Sequence, residues 1–230
     1  MEEDSKNFTT IVTHDGQYEF NKVPFGLCNS LGIFQRFINH VFRDLLKEGI
    51  VIIYMDDIII PSIDELGGIK RLSRVLQTAS EYGLELNVKK YNFLKSKIEF
   101  LGYIIENGKM RLSLDKATAV QNFREPKSIK QVQSFLGLTV YFRKFIQNYA
   151  IIAKAWSNLL RDNTEFYFVP EQKSAFQTLK QKLSENPVLH IFKQGVKLEL
   201  HTDARKFGYG AILFQQSDDI KFHPIHIMSK

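Results

Sequence analysis

Cysteine is almost missing from this chain: Cys28 is the only one in 230 residues. A single thiol excludes an internal disulfide and any zinc site built on cysteines, and it suits a reducing compartment. Long apolar runs are missing too. The longest, over 50–60, is interrupted by Asp56 and Asp57, so nothing approaches the roughly 20 apolar residues of a membrane span. Met1-Glu2-Glu3-Asp4 is acidic and has no apolar core, which argues against a secretory signal. The expected setting is intracellular, cytoplasmic or nuclear, with no membrane partner. No internal repeat and no low-complexity tract is present, so the chain reads as ordinary globular sequence, with 44% hydrophobic residues.

Charge is abundant but unevenly placed. Residues 1–60 carry nine acids and five Lys/Arg, whereas 61–230 carry 16 acids and 26 Lys/Arg. An acidic region followed by a basic remainder suits a metal site beside a polyanion track. A pI near 9.2 is also common in unrelated domains.

The acids that interrupt the apolar run are the most informative residues. In Gly49-Ile50-Val51-Ile52-Ile53-Tyr54-Met55-Asp56-Asp57-Ile58-Ile59-Ile60-Pro61-Ser62 two carboxylates sit among β-branched neighbours. An unpaired buried carboxylate costs several kcal/mol. These acids therefore need a turn that lifts them into solvent or a cation that neutralises them. The pattern predicts a β-hairpin, strands near Ile50–Tyr54 and Ile58–Pro61, with its tip at Met55-Asp56. Successive strand residues face opposite ways, so both acids can share one site only at a turn. Paired carboxylates suit Mg²⁺, and two such ions serve nucleotidyl transfer. A complete two-metal site needs a further carboxylate from elsewhere. As a bare dipeptide, Asp-Asp is more commonly a solvated turn.

Around this hairpin, Thr9–Thr13 and Gln17–Phe20 read as short strands joined across His14-Asp15-Gly16. Val23–Ser30 is a loop rich in turn formers. Apolar residues from Ile33 to Leu46 recur at helical spacing, and Gly49 closes that helix. Ile63–Tyr82 reads as a second helix on Leu72, Val75, Leu76 and Ala79, weakened early by Gly67-Gly68 and stopped at Gly83. Phe100–Ile105 and Lys109–Leu112 form a hairpin turning at Glu106-Asn107-Gly108. Beyond Ser113 helices dominate. Ser128 and Gln131 make a capping box, and Pro170 opens a helix cored by Phe176, Leu179 and Leu183. Tyr141-Phe142-Arg143-Lys144-Phe145 fits either a nucleic-acid clamp or a core edge with a solvated face. Val196–Thr202 and Tyr209–Gln215 are strand-like, separated by 203–208. Strands and helices in this order describe an α+β chain with helices on one face of an antiparallel sheet.

Several motifs taken together resemble one family. Tyr54-Met55-Asp56-Asp57 resembles the catalytic tetrad of reverse transcriptases, and the surroundings resemble those of gypsy-type long-terminal-repeat retrotransposons. Val23-Pro24-Phe25-Gly26-Leu27 with Asn29-Ser30 and Phe34-Gln35 is similar to the family's nucleotide-pocket loop and following helix. Leu84–Lys89 and Phe100-Leu101-Gly102-Tyr103 are similar to the segment entering the primer-gripping hairpin. Phe135–Leu138 with Tyr141–Ile146 resembles the thumb-side connection. Thr202-Asp203-Ala204 with Gly208–Ala211 and Gln215 is similar to the opening of a ribonuclease H domain.

The resemblance implies an α+β fold. It comprises an incomplete polymerase palm over 1–112, a helical thumb/connection over 113–190 and the first strands of a ribonuclease H-like domain over 191–230. It implies RNA-directed DNA synthesis by two-metal nucleotidyl transfer with Mg²⁺. Asp56 and Asp57 would be the catalytic metal-binding carboxylates, and Asp203 the first acid of a second, hydrolytic metal site. Phe25, Gly26 and Gln35 would serve the incoming nucleotide and template. Tyr54, Met55, Leu101 and Gly102 would contact the primer. Partners would be an RNA or DNA primer–template, deoxynucleotides and other parts of a Pol polyprotein.

Departures accompany the match. The family's other polymerase Asp is expected upstream of Met1, and the remaining hydrolase acids beyond Lys230, so the chain alone is expected to be inactive. Leu31 and Ala155 stand where the family usually has Pro, Val140 where it has Gly, and Arg205 where it has Ser. Val140 would be strained if its backbone needed a positive φ. The alternatives are a non-catalytic nucleic-acid-binding remnant and a decayed transposon product.

Overall fold

The computed structural model describes residues 1–24, 26–160, 166–167, 169–205 and 208–230, with the side chain of Arg205 left aside. The chain divides into two compact units, Met1–Leu94 and Lys95–Lys230. The first holds 13 acids and 10 Lys/Arg, the second 12 and 21.

In the first unit, α1 (Glu3–Lys6) and a 3₁₀ turn over Asn7–Thr9 lead into a hairpin of β1 (Ile11–Thr13) and β2 (Gly16–Tyr18). Thr9, expected in a strand, lies in the 3₁₀ turn, and its hydroxyl accepts from the Phe20 N–H at 3.0 Å. The expected single helix over 33–46 is two, α2 (Ser30–Val41) and α3 (Arg43–Lys47), because Phe42 departs from helical backbone at φ −97°, ψ 18°. Its ring is fully buried there.

Gly49 ends α3 at φ +67°. Its N–H bonds the Leu46 carbonyl and the Ile50 N–H bonds that of Leu45. This six-residue closure requires the left-handed conformation that glycine adopts without steric cost, and it aims the chain into the acidic hairpin. The hairpin is β3 (Ile52–Tyr54) against β4 (Asp57–Ile59). Behind it runs α4 (Glu65–Glu81), which starts two residues later than expected because Asp64 caps it, accepting from the Gly67 N–H at 2.6 Å. A side chain at Gly68 would place its Cβ 2.9 Å from Ser62 Oγ, so a larger residue there would have to displace that hydroxyl. The core joins Ile38, Val41, Phe42, Leu45, Ile50, Val51, Val75 and Ala79, with Ile53, Ile58 and Ile60 packed against it. Leu76 is exposed and is not part of this stripe.

Among the described residues, the second unit holds two antiparallel sheets and four helices. Its elements are β5 (Lys97–Phe100), β6 (Tyr103–Glu106), β7 (Lys109–Leu112), α5 (Leu114–Gln121), α6 (Ile129–Tyr141), α7 (Tyr149–Asn158), α8 (Pro170–Ser184), β8 (Val188–His190), β9 (Leu198–Arg205), β10 (Gly208–Gln216) and β11 (Phe222–Ser229). One sheet runs β5-β6-β7-β8 and the other β11-β10-β9. Phe100–Ile105 is not one strand as expected: a two-residue turn at Leu101 (φ +50°) and Gly102 (φ +72°) folds β5 onto β6. The Asn107-Gly108 turn predicted next does form, with both residues at positive φ.

Ser128 caps α6, accepting from the Gln131 N–H at 3.4 Å. Gln131 reaches back one residue further than a standard capping box, to the Lys127 N–H at 2.7 Å. Val140 sits within α6, so no positive φ is asked of it. The core gathers Trp156, Phe135, Phe142, Phe176, Leu179, Leu183, Val120 and Leu112. In the Tyr141–Phe145 segment Phe142 and Phe145 are buried, which supports the core-edge reading.

Candidate metal and nucleic-acid site

The acidic hairpin turns where expected. Tyr54 pairs with Asp57 across a two-residue tip, Met55-Asp56. Ile53 and Ile58 oppose each other and pack on the unit's core, while Ile52 and Tyr54 are exposed. Cross-strand partners share a face. Asp57 therefore stands on the solvent face with Tyr54, and Asp56 stands at the tip itself. Both acids are exposed. The turn resolves the problem of charge in an apolar run by lifting both carboxylates out of it.

Met55 occupies the first turn position at φ +54°. Type II′ turns normally place glycine there, and a non-glycine residue in left-handed backbone costs roughly 1–2 kcal/mol. Gln35 from α2 holds this conformation. Its Oε1 accepts the Met55 N–H at 2.6 Å, and its Nε2 donates to Asn39 Oδ1 at 2.9 Å. Gln35 is half-buried and tied to the acidic turn, a link across 20 residues that no local pattern reveals. Gln35→Ala is expected to destabilise the unit by about 1 kcal/mol in urea unfolding. Met55→Gly in the same background should recover a similar amount, because glycine tolerates the positive φ unaided.

The hairpin's two ends are tied as well. Arg71 of α4 donates to the Gly49 carbonyl at 3.4 Å and to the Pro61 carbonyl. Arg74 grips Glu48 with two bonds of 2.6 and 2.8 Å, which holds that carboxyl below its usual range. The tip is thus mounted on a fixed base.

The other expected site residues are dispersed. Phe25 lies outside the described residues. Gly26 is exposed at φ +91° in the loop before α2, where Ser30 Oγ donates to the Pro24 carbonyl at 3.1 Å. Leu101 and Gly102 form a turn of the second unit. There Tyr141 Oη donates to the Leu101 carbonyl at 2.8 Å, and the Lys116 side chain covers Gly102. Tyr103 stacks on Tyr141 at 5.4 Å, and Lys144 Nζ lies 4.1 Å above the Tyr103 ring. Burial pushes the Lys144 ammonium below its usual pKa and the Tyr103 phenol above its own. Asp203, placed by the sequence in the segment 203–208 between two strand-like runs, continues the first of them. It sits within β9 opposite Gly210, exposed, in the second unit.

Oxygen donors of this kind fit Mg²⁺, which binds through one or two carboxylates and completes its shell with waters or phosphates. Among the described residues, no group of three His, Cys, Asp or Glu side chains is placed to hold a metal ion. A shell built on Asp56 and Asp57 would need donors beyond these two.

Residues 1–105 match the family model for reverse transcriptase (RNA-dependent DNA polymerase), and residues 168–230 match that for the RNase H-like domain found in reverse transcriptase. The two matches, over 105 and 63 residues, make the chain similar to a reverse transcriptase followed by the start of its RNase H-like domain. It is 35% identical over its whole length to the retrovirus-related Pol polyprotein from transposon 297 of Drosophila melanogaster, covering 21% of that protein. It is 34% identical over 91% of its length to the transposon Tf2-3 polyprotein of Schizosaccharomyces pombe, covering 16% of it. The chain thus spans about a fifth of the length of such relatives. Its fold matches the foamy viral protease-reverse transcriptase solved with double-stranded DNA, with a TM-score of 0.85 and 21% identity, over the whole chain and 40% of that protein. The same viral enzyme with an RNA/DNA hybrid matches with a TM-score of 0.80 and 21% identity, over the whole chain and 31% of that protein. The α+β reading of the sequence and its assignment to a retrotransposon reverse transcriptase agree with these findings.

Proposed function

We propose that this chain is the part of a gypsy-type retrotransposon polymerase that carries the paired acids of the metal site. In this reading it works in RNA-directed DNA synthesis on an RNA or DNA primer–template with deoxynucleotides. The observation that carries the reading is the clamped turn presenting Asp56 and Asp57 to solvent on a fixed base. Divalent cations, when bound, supply charge stabilisation to the attacking 3′-oxygen and the leaving pyrophosphate. The protein's share is to hold two carboxylates rigidly side by side, with Tyr54 and Met55 beside them for the primer end. A further carboxylate comes from another segment of the polyprotein.

In the same reading the palm covers 1–112, the thumb and connection 113–190, and the start of the ribonuclease H-like domain 191–230, where Asp203 would serve hydrolysis. The excess of Lys/Arg in the second unit favours a polyanion partner. An intracellular setting suits the exposed free thiol of Cys28. Among the described residues no helix is long and apolar enough to cross a membrane.

The test is Mg²⁺-dependent primer extension on poly-rA/oligo-dT, with this chain joined behind the N-terminal palm segment of the transposon 297 polyprotein. Extension that requires Asp56 and Asp57 supports the reading. Salt-sensitive retention on duplex without extension favours a second one, a nucleic-acid-binding module, which rests on the basic second unit alone.

A further inference from the structure

Two histidines far apart in sequence meet in the second unit. The rings of His190, at the end of β8, and His223, in β11, lie 4.2 Å apart and within 4° of parallel. Each has a polar partner from the turn between β10 and β11. Ser217 Oγ is 3.3 Å from His190 Nδ1, and His223 Nε2 lies 3.1 and 2.9 Å from the two oxygens of Asp219. Asp219 is itself held by the Lys221 N–H at 3.1 Å. Parallel imidazoles direct their lone pairs along parallel planes rather than toward one point, so this pair is not built to chelate a metal.

We infer that the Ser217, His190, His223 and Asp219 stack is a pH-sensitive clasp, closing the end of β8 onto the β10–β11 turn and loosening on acidification. Four sets of charges face His190. Lys109 lies opposite it on β7, Lys193 follows it in the loop, His223 is stacked on it, and Asp219 sits behind His223. A proton on His190 would set a cation against the His223 ring, with Lys109 and Lys193 nearby. Neutral His190 can accept from Ser217 at Nδ1, and a proton there reverses the direction of that bond.

Burial, then His223 and Lys109, hold the His190 pKa below its ordinary value, with Asp219 opposing them. A base depressed in the folded state binds fewer protons there than in the unfolded chain. Its contribution is therefore complete above the unfolded value of about 6.5 and is lost as pH falls through the lower folded value.

The experiment is an NMR titration of the histidine Cε1–H signals in the full chain from about pH 8 to about pH 5, paired with thermal unfolding over the same range. His190 should titrate below about 6.5. The unfolding midpoint should fall by about 2–4 °C between neutral and mildly acidic pH. His190→Phe, which keeps a flat ring, should at least halve that fall. His190 titrating at or above the ordinary histidine value would overturn the clasp, as would an undiminished acid loss in His190→Phe. If that variant does not fold, the wild-type titration decides alone.

Discussion

Asp56→Asn is expected to lower primer extension by about 10²-fold or more in the joined protein, and Asp57→Asn to do so similarly. Asparagine preserves the size of the side chain and removes the anionic oxygen that a hard divalent cation requires. Both acids are exposed at the tip, where most substitutions change stability by less than about 0.5 kcal/mol. Loss of extension with an unchanged unfolding midpoint would therefore assign the defect to the site. Undiminished extension by both variants would remove these acids from the chemistry. The assay needs the larger protein because the chain spans about a fifth of its relatives.

Trp156→Ala is expected to cost the second unit about 3–5 kcal/mol. The indole is fully buried where α6, α7 and α8 meet, 4.9 Å from the Phe135 ring and 5.6 Å from that of Phe176. Its Nε1 donates to the Gln172 carbonyl at 2.9 Å. Truncation would leave a cavity and strip that buried carbonyl of a donor, two penalties that add. Trp156→Phe should cost less, since it keeps most of the volume and loses mainly the hydrogen bond. Because Trp156 is the only tryptophan, unfolding must be followed by far-UV circular dichroism rather than fluorescence. A cost below about 1 kcal/mol for the alanine variant would contradict the packing described.

Local chemistry made much of the fold legible. Apolar flanks around a charged pair located the acidic hairpin, glycines located the ends of α3 and α4, Ser128 located the start of α6, and Pro170 that of α8. The features that escaped depend on distant partners or hide behind atypical residues. The turn at Leu101-Gly102 uses leucine at positive φ, stabilised by Tyr141 from 40 residues away. Strand β8 has three residues and exists by pairing with β7. Strand β11 carries Pro224, which a sheet accepts because β11 is an edge and the register shifts beside it, at Leu213/Phe214. At the candidate site the acids were visible from sequence. The bond from Gln35 to Met55 was not, because nothing in a helix surface glutamine announces which backbone it will reach.

In the proposed site this turn presents two carboxylates to one divalent cation. Mn²⁺ added to the ¹⁵N-labelled 230-residue chain tests it most directly, through paramagnetic broadening of backbone amides. Broadening centred on Tyr54 to Ile58, displaced by excess Mg²⁺ and lost in the Asp56→Asn/Asp57→Asn double variant, is the predicted result. Broadening spread evenly over the acidic surface, or unchanged in the double variant, would contradict it.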